Sequence, residues 1–324
     1  MNTQCPLCRE KYNANPIGIY KEYKLYHCEN CDIVFWMPMV GLPAEKYDKE
    51  NVASALSYLN LRTIPWSQQR FFEKSPNKGG HLLEIGCSTG EFLKTAQEAG
   101  YSVTGIDSAP ETAGFAQSHF GLTNIFPLTI QEFIAQKPKE KFDVIVFFQV
   151  LEHIDNLPDF IDSIKKLLLP GGFIAVSVPN RDRWRIRSER FFTENWDLPP
   201  CHLTRWNIKA LENLFKKSGF SVISAEAEPL RLYDHGWSNF VSQKLGINRL
   251  AEVFARKTVG KPQNTSVTTR KFNIRQTMAG YLGIIYKKGF FPLLGIITLP
   301  FRLVLRRQGT TLYLLVTNGN QKEG

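Results

Sequence analysis

From His81 onward the sequence alternates two kinds of apolar pattern. Continuous apolar runs in HLLEIGC, YSVTGID, 125–128, KFDVIVFFQV and GGFIAVSVPN predict strands buried on both faces. Between them apolar residues recur at three- and four-residue spacing, which predicts helices. These are EFLKTAQEAG closed by its glycine, a segment at 111–119, another near Gln131, and LPDFIDSIKKLLLPGG stopped by Pro-Gly-Gly. A helix at 208–219, a sixth strand at 220–227 and a seventh in TTLYLLVTN complete the series. Repeated β-α units predict an α/β fold, a doubly wound and mostly parallel seven-stranded sheet covered by helices on both faces. The expected organisation is a small module at 1–40, a helical connector at 41–79, the main domain at 80–228, an insert at 229–309, and the last strand and tail at 310–324.

The 324 residues suit two or three structural units. The opening MNTQCPLCRE has neither a basic start nor an apolar stretch, so a reducing cytoplasm is the expected location. Charge is uneven. Residues 231–310 carry 14 Lys and Arg against 2 acids, which leaves the rest at −2 within a total of +10. An anionic partner is therefore expected at that segment.

The loop Glu84-Ile85-Gly86-Cys87-Ser88-Thr89-Gly90 joins the first strand to its helix. Small residues allow a tight turn close to a ligand, and the following helix offers free N–H groups. Asp107 ends the second strand, where a carboxylate can accept hydrogen bonds from both hydroxyls of a ribose. Two other readings share these residues. A dinucleotide site wants G-x-G-x-x-G, whereas the small residues here are Gly86, Ser88 and Gly90. The nucleophile elbow G-x-S-x-G also matches, but it normally follows several strands and an HGGG-type loop, which this sequence lacks.

Over about 80–180 the chain resembles class I methyltransferases that use S-adenosylmethionine (SAM). LLEIGCSTGEFL matches their first motif with Ser88 in place of the middle glycine, and KFDVIVFFQVLEHI with LLLPGGFIAVSVPN resembles their fourth and fifth strands. The resemblance implies that Glu84, Gly86, Ser88 and Gly90 line the methionine end of SAM. It also implies that Asp107 holds the ribose, that Ile130 and Gln131 lie near the adenine, and that Gln149 closes the site below the sulfonium.

Because the sulfonium is already activated, such an enzyme must chiefly align the acceptor with the methyl group and exclude water. A hydroxyl acceptor benefits from a base. His153 follows the fourth strand at the carboxyl edge of the sheet, and His202 lies in PPCHLTRWN after the fifth, where the family often reads Pro-Pro-His-His-Leu. Both are expected catalytic residues, against a capping or loop-orienting role for His153. Arg181, Arg183, Arg185, Arg187 and Arg190 flank Trp184 and could meet an anion or a sugar ring, although a solvated basic face explains most of them. The fourth strand ends FFQVLEH, unlike the Asn/Asp-Pro-Pro-Tyr/Phe of base-amine methyltransferases, so a nucleic acid is not the expected acceptor.

Cys5-x-x-Cys8 and Cys28-x-x-Cys31, separated by 19 residues, can place four thiolates around a structural Zn²⁺. This zinc ribbon, leading into Tyr47-Asp48, is similar to that of a bacterial methyltransferase subgroup associated with sugar, polysaccharide or natural-product biosynthesis. In the insert, MAGYLGIIY and GFFPLLGIITLPF are each shorter than the ~20 apolar residues of a spanning helix, and Lys287, Lys288, Arg302, Arg306 and Arg307 flank them. Through 278–307 the insert is expected to lie on an anionic membrane surface, at the inner face of the cytoplasmic membrane, or else to pack as a helical cap on the core or form a dimer contact. The expected function is SAM-dependent methylation of a hydroxyl on a glycan, sugar derivative or other small metabolite, with a lipid-linked acceptor consistent with the insert. The alternatives are an RNA methyltransferase and a non-catalytic SAM-binding or membrane-associated protein.

Overall fold

The structure, a computed structural model, describes residues 3–12, 15–41, 64–76, 78–183, 197–229 and 309–319. The chain divides into two compact units: Met1–Glu228 with Thr310–Gly324, and Pro229–Gly309. The expected insert, including its membrane-facing stretch at 278–307, lies outside the described residues, apart from Pro229 and Gly309 at its ends.

The first unit opens with the cysteine pairs. Strands β1 (Thr3–Gln4) and β2 (Lys11–Tyr12) bracket the first pair, and β3 (Gly18–Tyr20), β4 (Tyr23–Cys28) and β5 (Ile33–Met37) form antiparallel hairpins at the second. After helix α1 (Trp66–Lys74) the β-α series begins. It runs β6 (Gly80–Ile85), α2 (Glu91–Glu98), β7 (Tyr101–Ile106), α3 (Pro110–Phe120), β8 (Ile125–Phe126), α4 (Ile130–Gln136), β9 (Phe142–Phe148), α5 (Leu157–Leu167) and β10 (Leu168–Pro179). Strand β11 (Thr204–Arg205), helix α6 (Ile208–Lys217), β12 (Ser221–Ala227) and β13 (Thr311–Thr317) follow.

Seven strands form one sheet in the order β12-β13-β10-β9-β6-β7-β8. All neighbours are parallel except β13, which runs antiparallel between β10 and β12. The apolar runs explain this sheet. Along β9, Ile145 and Phe147 point into one core with Phe160 and Ile164 of α5 and Phe215 of α6, while Val144 and Val146 point into another with Phe71, Phe92 and Leu93. Burial of each such side chain contributes ~1.5–3 kcal/mol. Both cores are therefore needed to hold the central strands, and those strands hold the site.

The helix ends have local causes. Asn156 caps α5 by accepting from Asp159 N, and Asn207 caps α6 by accepting from Ala210 N at 2.8 Å. One boundary differs from the pattern-based expectation. Helix α5 ends at Leu167, before Pro-Gly-Gly, and Leu168 already pairs with Phe142. Pro170 disfavours a helical residue before it, so Pro170, Gly171 and Gly172 form an irregularity within a strand.

The cysteine module is fused to the sheet domain. Strand β11 adds to β5, giving a four-stranded sheet β11-β5-β4-β3. Phe35 shares a core with Trp206 and Phe215. Asp32 is the polar fastening: its carboxylate accepts from Asn207 Nδ2 (2.9 Å) and Arg181 Nη2 (3.0 Å) and pairs with His27 Nε2 (2.8 Å). Burial alone would raise the Asp32 pKa, but these partners hold it well below the usual carboxylate range. Asp32→Ala is expected to lower unfolding free energy by about 2 kcal/mol, because hydrogen bonds to charged groups contribute ~1.5–3 kcal/mol each and the site is partly exposed. Denaturant titration of the protein measures it, and a loss below about 0.5 kcal/mol would leave Asp32 without this role.

Candidate active site

At the carboxyl edge of β6, β7 and β9 lies a cavity of about 420 Å³, the place where open α/β sheets bind ligands. Its floor is the turn after β6. Gly86 sits at φ +72°, and a Cβ there would come within 2.6 Å of Val150 Cγ2. Ser88 also occupies the left-handed region, at φ +46°, so serine follows the path usually left to glycine. Gly90, at φ +82°, starts α2 against Ala116 and Leu122 rather than on the cavity wall.

Asp107 organises this floor. Its carboxylate accepts from Ser88 N (2.8 Å) and Ala109 N (3.0 Å), tying the first turn to the end of β7. Glu84 lies beneath, 4% exposed, and among the described residues its Oε2 has no hydrogen-bond partner. Burial, reinforced by Asp107 and Glu91, pushes its carboxyl well above the usual range. An unpartnered buried carboxylate oxygen suits the ammonium of an amino-acid ligand. Ile130 and Gln131 reach the cavity from the start of α4, where Thr129 and Glu132 form a capping box. Gln149, at φ +58°, also lines the cavity and donates through Nε2 to Ser177 Oγ at 3.2 Å.

His153 ends a single 3₁₀ turn, Leu151–His153, and lines the same cavity. Its Nδ1 lies 2.7 Å from the Cys201 carbonyl oxygen, and its ring packs edge-on against His202, with centroids 4.8 Å apart. Burial chiefly, and the neighbouring His202 in addition, lower its pKa to about 4, so the imidazole is neutral at pH 7. His202 is buried behind His153, its Nδ1 3.2 Å from Asp197 Oδ1. Asp197 also accepts from Arg183 Nη2 at 2.7 Å. Arg181 and Arg183 are thus engaged within the fold, while Trp184, Arg185, Arg187 and Arg190 lie outside the described residues.

The geometry brings Gly86, Ser88, Asp107, Ile130, Gln131, Gln149 and His153 onto one cavity wall, with Glu84, Gly90 and His202 one layer behind. Sequence reasoning missed Ala109, Leu128 and Thr129 on that wall, and Asp197 behind His202. It also missed Glu152, whose proximity to His153 in LEH was the available signal.

The cysteine cluster is separate. Cys5, Cys8, Cys28 and Cys31 bring ligand atoms within 4.8 Å of one another, with Cys8 and Cys28 sulfurs 3.7 Å apart. Leu7 N and Cys31 N donate to the sulfurs of Cys5 and Cys28. Four sulfurs with backbone donors are a donor set that fits Zn²⁺.

The sheet order and the turn after β6 are those of the class I fold of SAM-dependent methyltransferases. A family model described as "Methyltransferase domain" matches residues 62–225, just over half of the 324 residues, and the chain belongs to that family. The human mitochondrial ubiquinone biosynthesis O-methyltransferase is 25% identical over 201 residues, covering 56% of this chain and 54% of the relative. The ubiquinone biosynthesis O-methyltransferase of Actinobacillus pleuropneumoniae is 36% identical over 110 residues, covering 32% of this chain and 47% of the relative. The chain spans about half the length of these curated relatives. A solved SAM-dependent methyltransferase from Archaeoglobus fulgidus aligns over 77% of this chain and 92% of its own, with a TM-score of 0.45 and 14% identity.

Proposed function

We propose that the protein transfers the methyl group of SAM to a hydroxyl of a small metabolite. The observation that carries this reading is the position of His153 on the wall of the cofactor cavity, with His202 and Glu152 behind it. The O-methyltransferase relatives support the same acceptor chemistry. In this reading Asp107 accepts from the ribose hydroxyls and Glu84 faces the methionine ammonium across the turn of Gly86, Ser88 and Gly90. Ile130 and Gln131 contact the adenine, and Gln149 closes the site below the sulfonium.

The acceptor oxygen then meets the methyl carbon in line with the breaking S–C bond, and His153 engages the hydroxyl whose proton must leave. Sugar derivatives and lipid-linked glycans belong in the acceptor panel because of the cysteine module's resemblance. Zn²⁺ is proposed as its structural ion. Among the described residues no helix is long and apolar enough to cross a membrane. The basic, apolar 278–307 supports peripheral attachment to the inner face of the cytoplasmic membrane, tested by flotation with anionic vesicles.

His153→Gln is expected to cut kcat at least ~100-fold, the lower end of proton-transfer contributions, while SAM affinity changes less than ~3-fold. Steady-state kinetics on an acceptor found by labelled-methyl screening, with calorimetry for SAM, checks both. Unchanged kcat would remove His153 from the chemistry. Salt-sensitive methyl incorporation into RNA alone would replace the small acceptor.

A further inference from the structure

Glu152 poses a physical problem that methyl transfer leaves open. It is 1% exposed, and among the described residues neither carboxylate oxygen has a hydrogen-bond partner. Burying an acid this way costs several kcal/mol unless something compensates it. The groups beside it are the two histidines. One ligand atom from each of Glu152, His153 and His202 can be chosen so that all lie within 4.8 Å of one another.

We propose that Glu152, His153 and His202 form a second metal site, distinct from the four-cysteine cluster, that takes a divalent transition ion. Two nitrogens and one carboxylate favour Zn²⁺, Co²⁺, Mn²⁺ or Fe²⁺ over Mg²⁺, which prefers oxygen ligands alone. The surroundings of the imidazoles are those that metal-bound histidines use. His153 Nδ1 is 2.7 Å from a backbone carbonyl and His202 Nδ1 is 3.2 Å from the Asp197 carboxylate, so ligation runs through Nε2. Ligands on a tetrahedral ion stand ~3.4 Å apart, a little closer than the 4.8 Å within which the chosen atoms already lie. The scaffold is braced for this. Leu203 N donates to Glu152 O at 2.8 Å, and β11, just beyond His202, is paired to β5.

Of the three residues, His153 lines the cofactor cavity, with Glu152 and His202 buried behind it, so an ion held there would bear on the cavity through the His153 side. Its consequence for chemistry rests on the proposed hydroxyl acceptor; its binding does not. With Nε2 of His153 on the ion, the ion rather than the imidazole would lower the pKa of the acceptor hydroxyl, whose proton would pass to solvent. The oxygen lone pair then forms the bond to the methyl carbon, the S–C bond breaks, and its electron pair stays on sulfur as S-adenosylhomocysteine.

The test is titration of the zinc-loaded full-length protein with Co²⁺, read by absorption spectroscopy and metal analysis. One equivalent should bind beyond the cysteine-bound zinc, giving d–d bands without thiolate charge transfer. Glu152→Gln and His202→Asn should each weaken that equivalent by ~100-fold or more, exceeding the 10–100-fold of outer-ligand changes, while SAM binding and near-UV dichroism persist. The idea is overturned if wild type takes up no such equivalent, if the bound Co²⁺ shows thiolate charge transfer, or if both folded variants bind it as wild type does. The wild-type stoichiometry decides even if a variant fails to fold. Methyl transfer without the second ion would remove the ion from the chemistry and leave the acceptor reading standing; uptake of the ion with no transfer to any hydroxyl would leave the site standing and overturn the acceptor reading.

Discussion

Asp107→Ala is expected to weaken SAM binding by ~100-fold or more, the largest effect of any single substitution on the cofactor side. Asp107 has two jobs. Its oxygens hold Ser88 N and Ala109 N, and in the proposed binding mode they also accept from the ribose hydroxyls. Loss of two charge-assisted hydrogen bonds, at ~1.5–3 kcal/mol each, corresponds to roughly 10²–10⁴-fold in affinity. Removing the carboxylate also frees a turn whose Ser88 has a backbone conformation that serine disfavours by about 1–2 kcal/mol. Asp107→Asn keeps one acceptor oxygen and should fall between the two proteins. Calorimetry resolves the series, and affinity within ~3-fold of wild type for Asp107→Ala would move the ribose site elsewhere.

The second large effect concerns the cysteine cluster. Replacing Cys28 by Ser is expected to abolish zinc retention and methyl transfer together, while SAM still binds. The separation follows from the architecture. The cofactor turn is built by β6 and β7, on the far side of β9 from β10. His202 instead sits beside β11, which pairs with β5 of the cysteine module, and Trp36 N donates to Leu203 O at 2.9 Å. Structural zinc contributes ~10 kcal/mol or more to folding small modules. Its loss should therefore release β5 and, with it, the wall behind His153. Metal analysis, SAM calorimetry and methyl-transfer assays on one preparation test this. Full turnover by zinc-free protein would uncouple the module from catalysis.

Much of this was legible before any coordinates. Continuous apolar runs require a sheet covered on both faces, so five parallel strands and their helices could be read directly. The cofactor turn was legible because Gly86, Ser88 and Gly90 fall between a strand and a helix, with Asp107 at the next strand end. What stayed hidden was non-local. Strand β11 has two residues, too few for a periodic signal, and is a strand only because β5 supplies its partner. Glu152 read as an ordinary polar neighbour of His153 because its burial depends on β11 folding over it. The end of α5 was misjudged because glycines usually mark a helix stop, whereas here the proline acts one turn earlier.

The central claim is methylation of a small-molecule hydroxyl at the His153 end of the SAM cavity. The most direct measurement incubates the zinc-loaded protein with methyl-labelled SAM and a panel of phenolic, sugar-nucleotide and lipid-linked hydroxyl acceptors, then locates the label by mass spectrometry and NMR. The account predicts an O-methyl product formed one-for-one with S-adenosylhomocysteine and lost in His153→Gln. A label on nitrogen or carbon, or turnover indifferent to His153, would contradict it.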